Sequence, residues 1–362
     1  LSKQPQPGGR ACVHLVFCQR RNAVERNNLL EVEHLSVHIP STAGTVQAVR
    51  DVSFAVAPGE VLALVGESGC GKSILCKSVM KLLPKRASIV SGTIRADGRD
   101  ITRCSEREMR NLRGKLFSMV FQDPLTALNP TIPIGKQIAE AVTIHQKGLS
   151  KAQVQERVIE LMTLVGIAHP LERAKLYPYH FSGGMRQRCV LAMALAGRPK
   201  ILFADEPTTS LDVTIQAQIL DLLRDIQRKL DTATVFVSHD LGVVARVADR
   251  VAVMYAGKIV EIGTAEEIFY DPRHPYTWAL LRALPAFAKG KERLCTIPGT
   301  PPTLIDLPQG DAFAWRNEYA LEIDFCQAPP LFQVSDTHFA ATWLLDPRAP
   351  KVTPPTGGMF HG

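Results

Sequence analysis

The stretch Gly66-Glu67-Ser68-Gly69-Cys70-Gly71-Lys72-Ser73 satisfies every fixed position of the pattern G-x-x-x-x-G-K-[ST]. Such a loop works in one local setting, with a buried parallel strand ahead of it and the first turn of a helix behind it. Residues 61–65 are a short apolar run bounded by Pro58-Gly59, and from Lys72 the chain takes helical spacing through Ser78 and Leu82. Strand, glycine loop and helix therefore follow in the required order. In that setting the glycines let the backbone N–H groups of residues 68–71 turn toward a β-phosphate, where the helix N-terminus adds partial positive charge. Lys72 then reaches the β- and γ-phosphates, and the Ser73 hydroxyl is placed to hold Mg²⁺. A chance glycine-rich turn would not bring this strand and this helix with it.

The rest must be an α/β chain large enough to bury such a strand, and 362 residues with 46 % hydrophobic content allow two domains, or one large domain with an appendage. The formal charge of +7 invites a nucleic-acid reading, but Lys3, Arg10, Arg20, Arg21 and Arg26 against Glu25 place most of the excess in residues 1–28. That segment mixes Pro, Gly, Arg and Asn without a period and is expected to be a poorly ordered extension, not a nucleic-acid reader. No apolar run approaches the ~18 residues of a membrane span, and residues 11–18 are too short and too broken by His14 for a secretory signal. The expectation is a soluble intracellular protein whose partners supply any membrane part. Eight cysteines without a C-x-x-C pair agree with a reducing compartment.

In chain order, alternation at Leu30, Val32, Leu35, Val37 and Ile39, then at Val46, Val49, Val52, Phe54 and Val56, predicts two antiparallel strands joined across residues 40–44. A small β element at 92–98 and a strand at 117–121 follow, the latter running into Gln122. Residues 125–196 read mainly as helices, one with Ile138, Ala141, Val142 and Ile144 on its apolar face, another with Val154, Val158, Leu161, Met162 and Val165. Ser182-Gly183-Gly184 opens a further helix and makes a second phosphate-binding N-terminus. Residues 201–207 are an apolar strand ending in Asp205 and Glu206, 213–230 a helix preceded by Asp212, and 234–239 a strand delivering His239 at its carboxyl end. Residues 251–262 form a hairpin, and a Pro-rich texture begins near residue 286.

With the P-loop, Gln122, Phe181-Ser182-Gly183-Gly184-Met185, Asp205-Glu206 and His239 in this order, the chain resembles the ATP-binding subunits of ABC transporters. Residues 121–130, Arg273-His274-Pro275-Tyr276-Thr277, Ile297-Pro298-Gly299-Thr300-Pro301-Pro302 and 341–345 are similar to the oligopeptide and dipeptide importer branch, closest to the oligopeptide-permease ATPases of Gram-positive bacteria. The resemblance implies a P-loop NTPase (RecA-like) core with an antiparallel β subdomain over residues 29–285, an inserted helical subdomain at about 124–196, and a C-terminal domain over 286–362. It implies that Asp205 binds Mg²⁺ through water, Glu206 is the general base, Gln122 links Mg²⁺ and the water to the helical insert, and His239 meets the γ-phosphate. Taken alone, a strand-end pair of acids is a capped turn, His239 a satisfied turn residue and Asp212 a helix cap.

In this family Ser182, Gly183 and Gly184 close over ATP held by another subunit, and Asp212 lies in the dimer-contact loop. The implied partners are a sister ATPase or a second copy of this chain, two transmembrane permease subunits at the cytoplasmic face of the membrane and, through them, an extracellular peptide-binding protein. An importer of nickel or another small solute, or a soluble ABC ATPase acting on DNA or ribosomes, remain the alternatives. Two departures matter. Many relatives stack adenine on an aromatic residue just before the Val46 strand, whereas residues 40–48 hold none, so measurable GTP use is expected. Some relatives carry four C-terminal cysteines, whereas residues 286–362 hold only Cys295 and Cys326, so no iron–sulfur cluster is expected. The helix N-terminus at Cys70 is a setting that lowers a thiol pKa.

Overall fold

The computed structural model describes residues 28–209, 211–284 and 296–355, with the side chain of Leu125 left out. The basic extension, Cys295 and the boundary near residue 286 lie outside the described residues. β1 (Leu30–Ser41) and β2 (Gly44–Val56) form the expected antiparallel pair, followed by β3 (Val61–Val65), β4 (Ser88–Ala96) and β5 (Arg99–Asp100). Among the described residues β2-β1-β4-β5 make one antiparallel sheet. The three-residue step from Val32 to Leu35 breaks strict alternation. The structure absorbs it with a register shift and a left-handed His34 (φ 51°), which keeps both Val32 and Leu35 buried.

β3 is the centre of a second sheet. It is joined by β6 (Phe117–Val120), β7 (Ile201–Asp205), β8 (Ala233–Ser238), β9 (Arg250–Tyr255), β10 (Lys258–Thr264), β11 (Phe332–Gln333) and β12 (Phe339–Ala340), in the order β11-β12-β10-β9-β3-β8-β7-β6. Strands β9, β3, β8, β7 and β6 run parallel, and every residue of β3, β7 and β8 is buried. That is why these strands read as unbroken apolar runs while β1 alternates. The carboxyl ends of β3, β6, β7 and β8 deliver the P-loop, Gln122, Asp205-Glu206 and His239 to one edge of the sheet.

The longer helices are α1 (Lys72–Val79), α2 (Ile134–His145), α3 (Lys151–Leu164), α4 (Gly183–Ala194) and α5 (Val213–Leu230). α1 stops short of Leu82, because Lys81 turns left-handed at φ 52°. α2, α3 and α4 build the inserted helical layer, with Ile138 and Val142 from α2 meeting Val158, Leu161 and Met162 from α3 in one core. Ile144, expected on the same face of α2, is 59 % exposed. Six residues beyond Ile138, it falls about 240° round the helix from it.

The C-terminal segment, residues 296–355, has little regular structure yet shares the core. β12 pairs with β10, Ala341 N donates to Val260 O at 2.7 Å, and Phe313 packs in the same cluster as Tyr255 and Tyr276. A fully buried pair, His338 Nε2 and Glu261 Oε1 at 2.8 Å, pins this junction, and Glu261 also accepts from the backbone N–H groups of Arg273 and His274.

Candidate functional site

The loop after β3 is squeezed between two strands. A Cβ on Gly66 would lie 2.2 Å from Met254 O, and one on Gly71 2.2 Å from Ala48 O, so neither position admits a side chain. α1 begins at Gly71 with no side-chain cap, which leaves its first N–H groups for an anion. Lys72 is buried, its Nζ donating to Gly66 O at 2.7 Å and to Glu67 O at 2.9 Å. The ammonium is thus held inside the cradle that Gly66, Ser68, Gly69, Cys70 and Gly71 form. Cys70 corrects one expectation: burial pushes its thiol up, and the adjacent Lys72 only opposes that shift.

Ser73 Oγ donates to Asp205 Oδ1 at 2.8 Å. Burial raises the Asp205 carboxyl above its ordinary range, while the Ser73 bond and Lys77 and Lys72 work the other way. Two hard oxygen donors at the loop, one of them a desolvated carboxylate, fit Mg²⁺, which takes one or two protein oxygens and completes its shell with water and phosphate. Glu206 sits just past β7 at φ 47°, a left-handed conformation that costs on the order of 1 kcal/mol or more for a residue with a side chain. Its N–H donates to Val237 O at 3.0 Å, fixing it against β8. Glu206 Oε2 accepts from Gln122 Nε2 at 3.0 Å and from Thr209 Oγ1 at 3.0 Å, and Oε1 lies 3.2 Å from His239 Nδ1. The turn therefore holds one carboxylate, 15 % exposed, with hydrogen-bonding groups at both of its oxygens. Thr209 was not evident in the sequence, because its place depends on the turn at Glu206.

The other predicted residues form a separate group. Ser182 Oγ accepts from Met185 N at 3.4 Å and Asp212 Oδ1 from Ile215 N at 2.9 Å, so each caps its own helix, α4 or α5. A Cβ on Gly184 would stand 2.3 Å from Ile215 Cγ2, so the two helix starts are in close contact. Ser182, Gly183 and Asp212 are exposed.

A third set escaped the sequence reading. Glu67, inside the phosphate loop, is gripped by Arg316 through Nη1 to Oε2 at 2.5 Å and Nη2 to Oε1 at 2.8 Å, and its backbone N–H donates to Tyr276 Oη at 2.8 Å. Arg316 also donates to Tyr255 Oη at 3.1 Å and Pro298 O at 2.7 Å. The available signal was electrostatic: a carboxylate in a loop built for anions calls for a cation nearby.

The family model for ABC transporters matches residues 49–209, and that for the oligopeptide/dipeptide transporter C-terminal region matches 260–326. The chain is similar to the oligopeptide transport ATP-binding protein OppD of Bacillus subtilis (strain 168), 57 % identical over 90 % of this chain and 92 % of that protein. It is also similar to the dipeptide transport ATP-binding protein DppD of Lactococcus lactis, 55 % identical over 90 % of this chain and 93 % of that protein. Among solved structures, cbiO1 of Clostridium perfringens, part of the ABC transporter complex cbiONQ, aligns with a TM-score of 0.59 and 28 % identity over 67 % of this chain and 90 % of that one. An ATP-binding cassette solved as a dimer bound to ADP and Pi shares the fold, with a TM-score of 0.59 and 22 % identity over 65 % of this chain and 98 % of that one.

Proposed function

The chain belongs to the ATP-binding proteins of ABC transporters, in their oligopeptide and dipeptide branch, and from that premise we propose that it hydrolyses ATP to energise peptide import through separate permease subunits. The observation that carries the proposal is the oriented carboxylate of Glu206 beside the Ser73–Asp205 pair.

Lys72 exchanges its loop carbonyls for the β- and γ-phosphates, so its two hydrogen bonds are replaced by charge-assisted ones. Ser73 and Asp205 would hold Mg²⁺, which would supply charge neutralisation at the β- and γ-phosphates. Glu206 takes the proton of the attacking water, a role worth about 10²–10⁴ in rate. Gln122 positions that water from the edge of the helical layer, and His239, 56 % exposed, faces the γ-phosphate. Ser182, Gly183 and Gly184, with Asp212, belong to the ATP of a facing subunit, a sister ATPase or a second copy. The exposure of Ser182 and Gly183 supports that assignment. Among the described residues no helix is long and apolar enough to cross a membrane. On the importer reading, the chain works at the cytoplasmic face, against permease subunits that receive peptide from an extracellular binding protein.

Purification from membranes in mild detergent, followed by mass spectrometry of the intact complex, tests this. Two membrane-spanning subunits and a paired ATPase are expected. Recovery with ribosomes or DNA and without membrane-spanning subunits would replace the importer by a soluble ATPase.

A further inference from the structure

A cavity of about 270 Å³ opens beside the phosphate loop. Residues 67–70 form one side, Val46 of β2 and Tyr255 with Ala256 form the floor, and residues 301–305 of the C-terminal segment form the opposite wall. The far end of that wall is anchored. Gln47 N donates to Leu304 O at 2.8 Å, and a Cβ on Gly44 would stand only 2.7 Å from Ile305 Cγ2, so the segment is laid against the start of β2. Beyond its other side, Arg316 ties Pro298 O to the Glu67 carboxylate. The segment is thus attached to the start of β2 and, through Pro298 and Arg316, to the loop itself.

Resting on the nucleotide reading above, we propose that residues 301–305 are the base subsite, with Pro301 and Pro302 supplying the flat apolar surface for the purine ring. A nucleotide whose phosphates lie on the loop must place its nucleoside to one side of it, and this cavity is continuous with residues 67–70. No aromatic residue is available in residues 40–48 to stack on the base. Two successive proline rings offer a rigid C–H face that loses little freedom when covered. Within 301–305 the polar side chain is Thr303, whose hydroxyl both donates and accepts, and the Glu67 carboxylate in the wall is occupied by Arg316. Neither reads the exocyclic group that separates adenine from guanine. The subsite therefore binds purine nucleotides as a class, and ATP and GTP bind within a few-fold of one another.

The full-length chain carrying Pro301→Gly and Pro302→Gly tests this with fluorescent ATP and GTP analogues and with inorganic tripolyphosphate as competitor. Loss of about tenfold in affinity for both nucleotides, with tripolyphosphate unchanged, is expected. Equal weakening of tripolyphosphate, or no weakening at all, overturns the proposal, as does a hundredfold preference of the unmodified chain for ATP over GTP. Photolabelling of the unmodified chain with 8-azido-ATP reads the same contact independently of any variant. Label in the tryptic peptide 294–316 supports it, and label confined to other peptides overturns it. If the unmodified chain binds neither ATP nor tripolyphosphate, the nucleotide reading itself falls and the subsite with it. ATP binding without label in 294–316 removes the subsite alone.

Discussion

Around Glu206, side chains from three stretches of chain converge on one carboxylate, whereas around Ser182 and Asp212 the polar groups turn back onto their own helices and leave an exposed face. The first group is hydrogen-bonded within the chain. The second is ordered within the chain but directed away from it. The contrast teaches that the two halves of the site should respond differently to damage: on the proposed reading one governs chemistry on this chain's own nucleotide, the other on its neighbour's.

Glu206→Gln is the strongest way to sharpen the comparison. Hydrolysis should fall by about 10²–10⁴ in phosphate-release assays, while binding of a fluorescent ATP analogue persists. Near-normal turnover would remove Glu206 from its role. Ser182→Arg should lower hydrolysis by roughly 10² with ATP binding to isolated chains untouched, since on the proposed reading the altered side chain faces the partner's nucleotide. Equal loss of binding at low chain concentration would break the distinction between the halves.

A smaller effect is expected from Arg316→Ala, which leaves Glu67 without its cation beneath the loop. The Arg316 side chain is 4 % exposed and that of Glu67 25 %, so loss of the pair should cost about 2–3 kcal/mol in urea unfolding. Adding Glu67→Gln should recover part of that loss, because the uncompensated charge is then gone.

The smallest concerns Asp311, whose carboxyl burial pushes up from 3.8 to about 6, with Asp324 adding to the shift and a Phe313 N–H bond, Lys258 and Arg50 opposing it. Between about pH 4 and pH 6 the folded chain holds this proton and the unfolded chain does not, so stability falls as pH rises through that window. Asp311→Asn should abolish that slope and stabilise the protein at pH 7.5 by on the order of 1–2 kcal/mol, with no gain near pH 4. Urea unfolding at the two pH values reads the difference.

Much of the catalytic group was readable before any fold was in view. The strand at 61–65, the helix at 213–230 and the order of Lys72, Gln122, Asp205-Glu206 and His239 coincide with β3, α5 and the strand ends. Each rests on a short pattern whose physical cause is local: double-sided burial gives an apolar run, and a glycine loop needs a helix behind it. The misreadings have a different origin. Ile144 was placed by spacing that drifts off the buried face, and Cys70 by a helix terminus whose effect burial reverses.

Residue types in short windows therefore established the phosphate cradle, the strand-end acids and the helix caps, because backbone geometry over a few residues dictates them. The left-handed aim of Glu206, the grip of Arg316 on Glu67 and the wall of residues 301–305 came only with the folded chain. Arg316 and Glu67 are 249 residues apart, and only the closing of β10 and β12 into the same sheet as β3 brings the C-terminal segment back to the loop.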